Sequence, residues 1–220
     1  MGRIQAVIFD LDGLMIDSEP LQLRAINRAL APAGVALSEA DWMRLVGQKS
    51  IEIIRQLKDR YRFDEDLAEI EAAKLDAYRQ IIQEKDALKL MPGVWDAVRA
   101  CQSLQLKLAL ASSSVQADIA VILNKFGLDS TFAAVVSGDQ VAIGKPDPAI
   151  FLETARRLAV EPQNCLVLED SPGGVAAANA AGMFSVAIPN RLAAQQDFSA
   201  ANVVLSDLFE FTRNLPRLVL

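Results

Sequence analysis

Strand-length apolar runs ending in small or acidic residues recur along this chain, with helix-length stretches between them. That alternation constrains the fold more than any other feature. The runs are Ala6-Val7-Ile8-Phe9, Leu106 to Ala111, Ala134-Val135-Val136, Leu166-Val167-Leu168 and Ser185-Val186-Ala187-Ile188, with Val203-Val204-Leu205 a weaker sixth. Continuous rather than alternating apolar character marks strands covered on both faces, as in a parallel sheet. Helical stretches fall between them, at Val94 to Leu104, Val115 to Phe126, Pro148 to Leu158 and Val175 to Ala181. Asp147-Pro148 and Ser171-Pro172 read as an N-cap followed by proline at the first helical position, and Gly127 and Gly182 suit helix C-termini. The pattern predicts an α/β fold with a right-handed, doubly wound parallel sheet.

Residues 18–88 break the alternation. Apolar spacings of three and four residues recur there instead, in Leu23, Ile26 and Leu30, in Ile54, Leu57 and Tyr61, and in Leu75, Tyr78 and Ile82. Pro32 and Gly34 punctuate the first of these helices. An insert of this length directly after the first strand exceeds an ordinary connection. The expected organisation is a Rossmann-like catalytic core, residues 1–16 and 89–220, interrupted by an all-helical cap domain, residues 17–88, whose two ends rejoin the sheet side by side.

Histidine is absent from all 220 residues. This excludes Ser-His-Asp and Cys-His nucleophile systems, a histidine general base and histidine-rich zinc or iron sites. Chemistry must then run on carboxylates, lysine, hydroxyls and a hard metal ion. Lys and Arg number 22 against 28 Asp and Glu, a net charge of −6, and no basic cluster occurs, so neither nucleic acid nor an anionic membrane is an expected partner. The apolar runs are too short to span a bilayer. Met1-Gly2-Arg3-Ile4-Gln5 lacks a secretory apolar core, and Cys101 and Cys165 lack metal-ligand spacing. A reduced, cytoplasmic, monomeric protein is the expectation.

Four strand ends carry the chemistry. Ligands of open α/β sheets bind beyond the carboxyl ends of the strands, so acids placed there face the crevice. The first strand runs into Asp10-Leu11-Asp12-Gly13 and the fourth into Glu169-Asp170; carboxylates leaving adjacent strands converge and call for a cation, and all-oxygen donors select a hard ion, with Mg²⁺ the usual choice because it keeps waters and accepts substrate phosphate. The second strand leads into Ser112-Ser113-Ser114, whose hydroxyls and backbone N–H groups precede a helix and suit phosphate oxygens. After the third strand comes Gly144-Lys145-Pro146-Asp147-Pro148, where proline holds Lys145 out of helical conformation. Taken singly, the Asp10-Leu11-Asp12-Gly13 turn reads equally well as a capped turn, and each of the others is more ordinarily a turn, a cap or a solvated lysine. Together they supply a nucleophile, an acid, phosphate donors, an ammonium and a metal clamp, the parts of a phosphoryl-transfer site.

Asp10-Leu11-Asp12-Gly13, Ser112, Lys145 and Glu169-Asp170, in this order and on these elements, resemble the four motifs of the haloacid dehalogenase-like hydrolases. The insert resembles that superfamily's type-one cap. Phe9 to Pro20, with Gly144 to Pro148 and Leu168 to Ser171, is most similar to the β-phosphoglucomutase-like subfamily. The resemblance implies that Asp10 is the nucleophile, forming an aspartyl-phosphate, and that Asp12 is the general acid and then base. It also implies that Ser112, Ser113 and Lys145 hold phosphate, and that Mg²⁺ binds through Asp10, Asp12 (by its backbone carbonyl), Asp170 and Glu169. Glu169 acts through water or by orienting other ligands. In the cap, Gly47-Gln48-Lys49-Ser50 corresponds to a substrate-contacting loop. Gln22, Gly47, Lys49 and Lys74 are candidates for setting substrate specificity, Lys49 and Lys74 by reading a second anionic or polar group; a solvated lysine is the alternative for both.

The substrate implied is a small phosphorylated metabolite, most simply a sugar phosphate. True β-phosphoglucomutases carry a histidine in the linker after the first motif; twelve residues after Asp10 this chain has Gln22, which exchanges no proton near neutral pH. This points to a Mg²⁺-dependent phosphatase, with a β-phosphoglucomutase-type mutase as the alternative. The dehalogenase reaction is excluded by Asp12. A receiver-like signalling module would be shorter, lack the insert and place its aspartate after the third strand.

Overall fold

A computed structural model describes residues 3–46 and 50–219. The chain divides into two compact units, Met1–Asp17 with Leu90–Leu220, and Ser18–Lys89.

The first unit is built on a six-stranded, all-parallel sheet: β1 (Ala6–Phe9), β2 (Lys107–Ser112), β3 (Ala134–Ser137), β4 (Cys165–Glu169), β5 (Phe184–Ala187) and β6 (Val203–Val204). Their order is β3-β2-β1-β4-β5-β6. Successive strands step outward from β1 on one side and then, from β4, on the other, so the order reverses at β1 and β4 and opens a crevice at their carboxyl ends. The register fixes what meets there. Phe9 pairs with Leu110 of β2 and Leu168 of β4, which sets Asp10 beside Ala111 and Glu169. The backbone N–H of Asp10 donates to the Leu168 carbonyl at 3.0 Å, extending the ladder by one residue.

The helices of this unit are α5 (Val94–Ser103), α6 (Gln116–Lys125), α7 (Ala149–Leu158), α8 (Pro172–Ala180) and α9 (Leu208–Leu218). All four residues of β1 are buried, as a strand covered on both faces requires. On one face Ile8, Val136, Phe151, Ala155 and Val167 form a close-packed cluster. The predicted strands and helices are present within a few residues. Helix α8 begins at Pro172, as the Ser171-Pro172 cap reads and three residues before its apolar stretch at Val175, with Ser171 Oγ accepting from the Gly174 N–H; α7 begins at Ala149, one residue after the expected Pro148, which is itself the N-cap. The chain leaves and re-enters this unit through paired segments: Ile16 bridges Leu90, and the Met91 N–H donates to Met15 at 2.8 Å.

The second unit comprises, among the described residues, α1 (Glu19–Leu30), a 3₁₀ turn at Ala31–Ala33 closed by Gly34 in left-handed conformation, α2 (Glu39–Met43), α3 (Ser50–Tyr61) and α4 (Leu67–Gln83), with no strand. Ser38 and Asp41 form a capping box on α2, and Asp66 caps α4. Both α1 and α3 pack against α4. Two residues of the expected apolar stripes are misplaced. Tyr61 and Leu75 are exposed, and α4 buries Ile70, Lys74, Ala77, Tyr78, Ile81 and Ile82 instead. The true stripe includes position 74 rather than its neighbour, about 100° around the helix. No helix among the described residues is long and apolar enough to cross a membrane.

Candidate active site

The β1 end delivers Asp10 into the crevice, 6% exposed. Lys145 reaches it from the loop between β3 and α7, through a cis Lys145–Pro146 peptide. Its side chain is 8% exposed. The ammonium donates to Asp10 Oδ1 at 2.5 Å, to Glu169 Oε1 at 2.5 Å and to the Ala111 carbonyl at 3.2 Å. It also lies 5.0 Å from the centroid of the Phe151 ring, so all three donors and the cation's open face are engaged.

Glu169, the last residue of β4, is 1% exposed. Its second oxygen, Oε2, accepts from Ser171 Oγ at 2.9 Å, and Ser171 Oγ in turn accepts from the Gly174 N–H at 3.0 Å. A side chain at Gly174 would occupy the space of the Glu169 carboxylate. The glycine is therefore what lets α8 start so close to the site.

Asp170 is buried beside them, and one carboxylate oxygen from each of Asp10, Glu169 and Asp170 lies within 4.8 Å of the others. Burial pushes the Asp10 carboxyl up to about 8, with Lys145 pulling the other way and Glu169 and Asp12 adding to the rise. Burial also works against the Lys145 charge, but Asp10 and Glu169 outweigh it and hold the ammonium well above its ordinary value. Lys145 is thus cationic, yet alone it leaves the carboxylates short of positive charge. The donor set fits a hard divalent cation: it is all carboxylate, convergent and buried. Gly13, at φ +81°, fits it too, because a Cβ there would overlap the Asp170 carboxylate.

Asp12 stands apart from this cluster. It is half-buried, and its Oδ2 accepts from Ser114 Oγ at 2.7 Å and more weakly from Ser112 Oγ at 3.4 Å. Ser112 is fully buried, and its hydroxyl also accepts from the Ser114 N–H at 3.0 Å. Ser113 is exposed, and its carbonyl lies where a Cβ of Gly138 would be.

The structure brings together Asp10, Asp12, Ser112, Lys145, Glu169 and Asp170 at one set of strand ends. Gln22 and Lys74 belong to the helical unit. Gln22 is half-buried on α1; Lys74 is buried on α4 with Nζ donating to Ser50 Oγ at 3.0 Å, so it is not a solvated lysine. Gly47 and Lys49 lie outside the described residues.

Three residues escape the sequence reading as members of the site: Ser114 on Asp12, Ser171 on Glu169, and Asn190, whose Nδ2 donates to Asp170 Oδ2 at 2.8 Å. The two serines sit inside motifs already noted, as parts of a turn and a cap. Asn190 follows β5 by three residues, and the strand-end rule applied to the fifth strand would have reached it.

A family model described as a haloacid dehalogenase-like hydrolase matches residues 4–182. Hexitol phosphatase B of Escherichia coli is 35% identical over 212 residues, covering 96% of this chain and 95% of its own. A phosphorylated carbohydrates phosphatase of Thermotoga maritima is 36% identical over 180 residues, covering 82% of each. Among solved structures, a β-phosphoglucomutase from Clostridium difficile superimposes with a TM-score of 0.75 at 27% identity, covering 98% of this chain and 99% of that one.

Proposed function

Because this chain belongs to the haloacid dehalogenase-like hydrolases and acts on phosphoric monoesters, we propose that it is a Mg²⁺-dependent phosphatase of a small phosphorylated carbohydrate, working through an aspartyl-phosphate on Asp10. The observation that carries the reading is the split between two aspartates of one turn. Asp10 is locked against Lys145 and the carboxylate cluster, while Asp12 rests on serine hydroxyls outside it.

In the first step an Asp10 carboxylate oxygen bonds to phosphorus as the bond to the leaving oxygen breaks, and Asp12 gives that oxygen a proton. In the second, Asp12 takes a proton from water as the water oxygen bonds to phosphorus. The bond to Asp10 then breaks and inorganic phosphate leaves. Lys145 and Ser112 would hold the transferring phosphoryl oxygens, where preorganised donors contribute most. Asp10, Asp170 and the Asp12 backbone carbonyl would hold Mg²⁺, which when bound supplies positive charge to the carboxylates and the phosphoryl oxygens. Both Glu169 oxygens are already taken, by Lys145 and Ser171, which favours Glu169 as the group that orients the ammonium rather than as a direct ligand.

The helical unit inserted just after this turn is the proposed cap, which would set substrate choice. Two relatives are named for phosphatase action on carbohydrates, which supports that substrate class. Gln22 at the position noted above favours hydrolysis over mutase turnover. The test is phosphate release from a panel of sugar and hexitol phosphates, with Mg²⁺ and with chelator, for wild type and Asp10→Asn. Release that requires Mg²⁺ and vanishes in the variant is expected. Conversion of hexose 1-phosphate to 6-phosphate without phosphate release would overturn the phosphatase reading. Release indifferent to chelator would overturn the metal reading.

A further inference from the structure

We infer that Asn190 is a positioning residue that holds the Asp170 carboxylate in the orientation a divalent cation needs, an inference resting on the metal reading above. Asn190 lies in the loop that leaves β5. The Ile188 N–H donates to the Glu169 carbonyl at 2.7 Å, so the β4–β5 ladder carries this loop directly past Asp170. The amide works from both ends. Its Oδ1 accepts from the N–H groups of Leu192 at 2.8 Å and Ala193 at 3.0 Å, which anchors the side chain in its own turn. Its Nδ2 donates to Asp170 Oδ2 at 2.8 Å.

The anchoring also settles the orientation of the amide. Two backbone donors require the oxygen on the turn side, so it is the NH₂ that faces the carboxylate. A donor held on one carboxylate oxygen fixes the plane of the group and hence the direction of the other oxygen, as partners behind metal ligands do. A Cβ at Gly13 would meet both Asp170 and Asn190 Nδ2. Asp170 is therefore gripped between the Asp12-Gly13 turn and the Asn190 amide, and its freedom to rotate out of the cluster is removed on both sides.

Two variants separate this role from simple turn capping. Asn190→Ser keeps a short side-chain acceptor for the Leu192 and Ala193 N–H groups but cannot span to Asp170; Asn190→Ala loses both. Mn²⁺ is titrated into the full chain and followed by electron paramagnetic resonance, and urea unfolding is measured in chelator. Both variants should bind Mn²⁺ roughly 10-fold or more weakly. Asn190→Ser should unfold in chelator close to wild type, while Asn190→Ala is less stable. Wild-type Mn²⁺ affinity in Asn190→Ser overturns the inference. Asp170→Asn serves as the control: if it too binds Mn²⁺ like wild type, the metal reading falls and takes this inference with it. A weakened Asp170→Asn beside an unchanged Asn190→Ser removes Asn190 alone.

Discussion

Gly173 and Gly174 stand side by side in the first turn of α8, and alanine should have opposite effects at the two. At Gly173 a Cβ would meet nothing within 4 Å. Alanine there lowers the backbone entropy lost on folding and raises helix propensity, a gain of about 0.5 kcal/mol at a helix end. For a chain of this size that is roughly 1–2 °C in Tm. At Gly174 the added methyl would overlap the Glu169 carboxylate, and that carboxylate has little room to yield, since Lys145 holds one oxygen and Ser171 the other. Relieving the overlap costs about 1–3 kcal/mol of stability, as overpacking generally does. It also moves the group that orients Lys145, and a misplacement near 1 Å costs about 100-fold in rate. The assay pairs urea unfolding in chelator with kcat/KM for phosphate release. Gly173→Ala should be slightly stabilised at wild-type kcat/KM, and Gly174→Ala destabilised and about 100-fold slower. A Gly174→Ala enzyme with wild-type kcat/KM and stability would refute the reasoning, since Glu169 would then not be seated against α8.

Other outcomes follow from the same contacts. In chelator, the stability of the wild type should fall as pH rises from about 4 to about 8. Burial lifts the folded-state Asp10 carboxyl from 3.8 to about 8, so the folded state holds a proton the unfolded chain gives up. Asp10→Asn should abolish turnover and flatten this slope, by at most on the order of 5 kcal/mol at its alkaline end, measured by urea unfolding across pH. Lys145→Met should lower kcat by about 100-fold or more and weaken inhibition by inorganic phosphate, read from steady-state kinetics. Asp12→Ala should slow release of an alkyl alcohol by about 10²–10⁴-fold while sparing the first-turnover burst of p-nitrophenol, which needs no proton, and rapid-quench kinetics with p-nitrophenyl phosphate should show phosphoenzyme accumulating.

The sheet and most of the site were legible because both follow from one-dimensional rules. Phe9 and Leu168 each end an uninterrupted apolar run, so counting one residue past each finds Asp10 and Glu169, and the parallel register then puts them side by side. What the sequence withheld has physical causes. A helical stripe read by residue type picked Leu75, but the buried face passes through Lys74, because a lysine whose ammonium bonds Ser50 can occupy an apolar row. Asn190 belongs to no periodic pattern, and its importance lies in a contact 20 residues away in sequence. The Ser171 cap of α8 is legible in sequence, but that its hydroxyl also donates to Glu169, whose other oxygen takes Lys145, is a contact no motif spacing encodes.

A site without histidine must make carboxyl groups play different parts, and here one turn creates the difference. Asp10 extends the β1 ladder by a backbone hydrogen bond and is buried with the lysine and two further acids. Two residues later the chain has left the ladder: Gly13 takes a left-handed conformation, its N–H closes on the Ile16 carbonyl at 2.9 Å, and Asp12 turns to the Ser114 hydroxyl. Asp10 is thus held rigidly against Lys145, as the attack along a fixed line proposed for it requires. Asp12 is half-exposed and neighboured by the Ser112 and Ser114 hydroxyls, which suits the proton transfer proposed for it. Any other residue at Gly13 would have to displace the Asp170 carboxylate, so the turn that separates the two roles and the packing that gathers the acids depend on the same missing side chain.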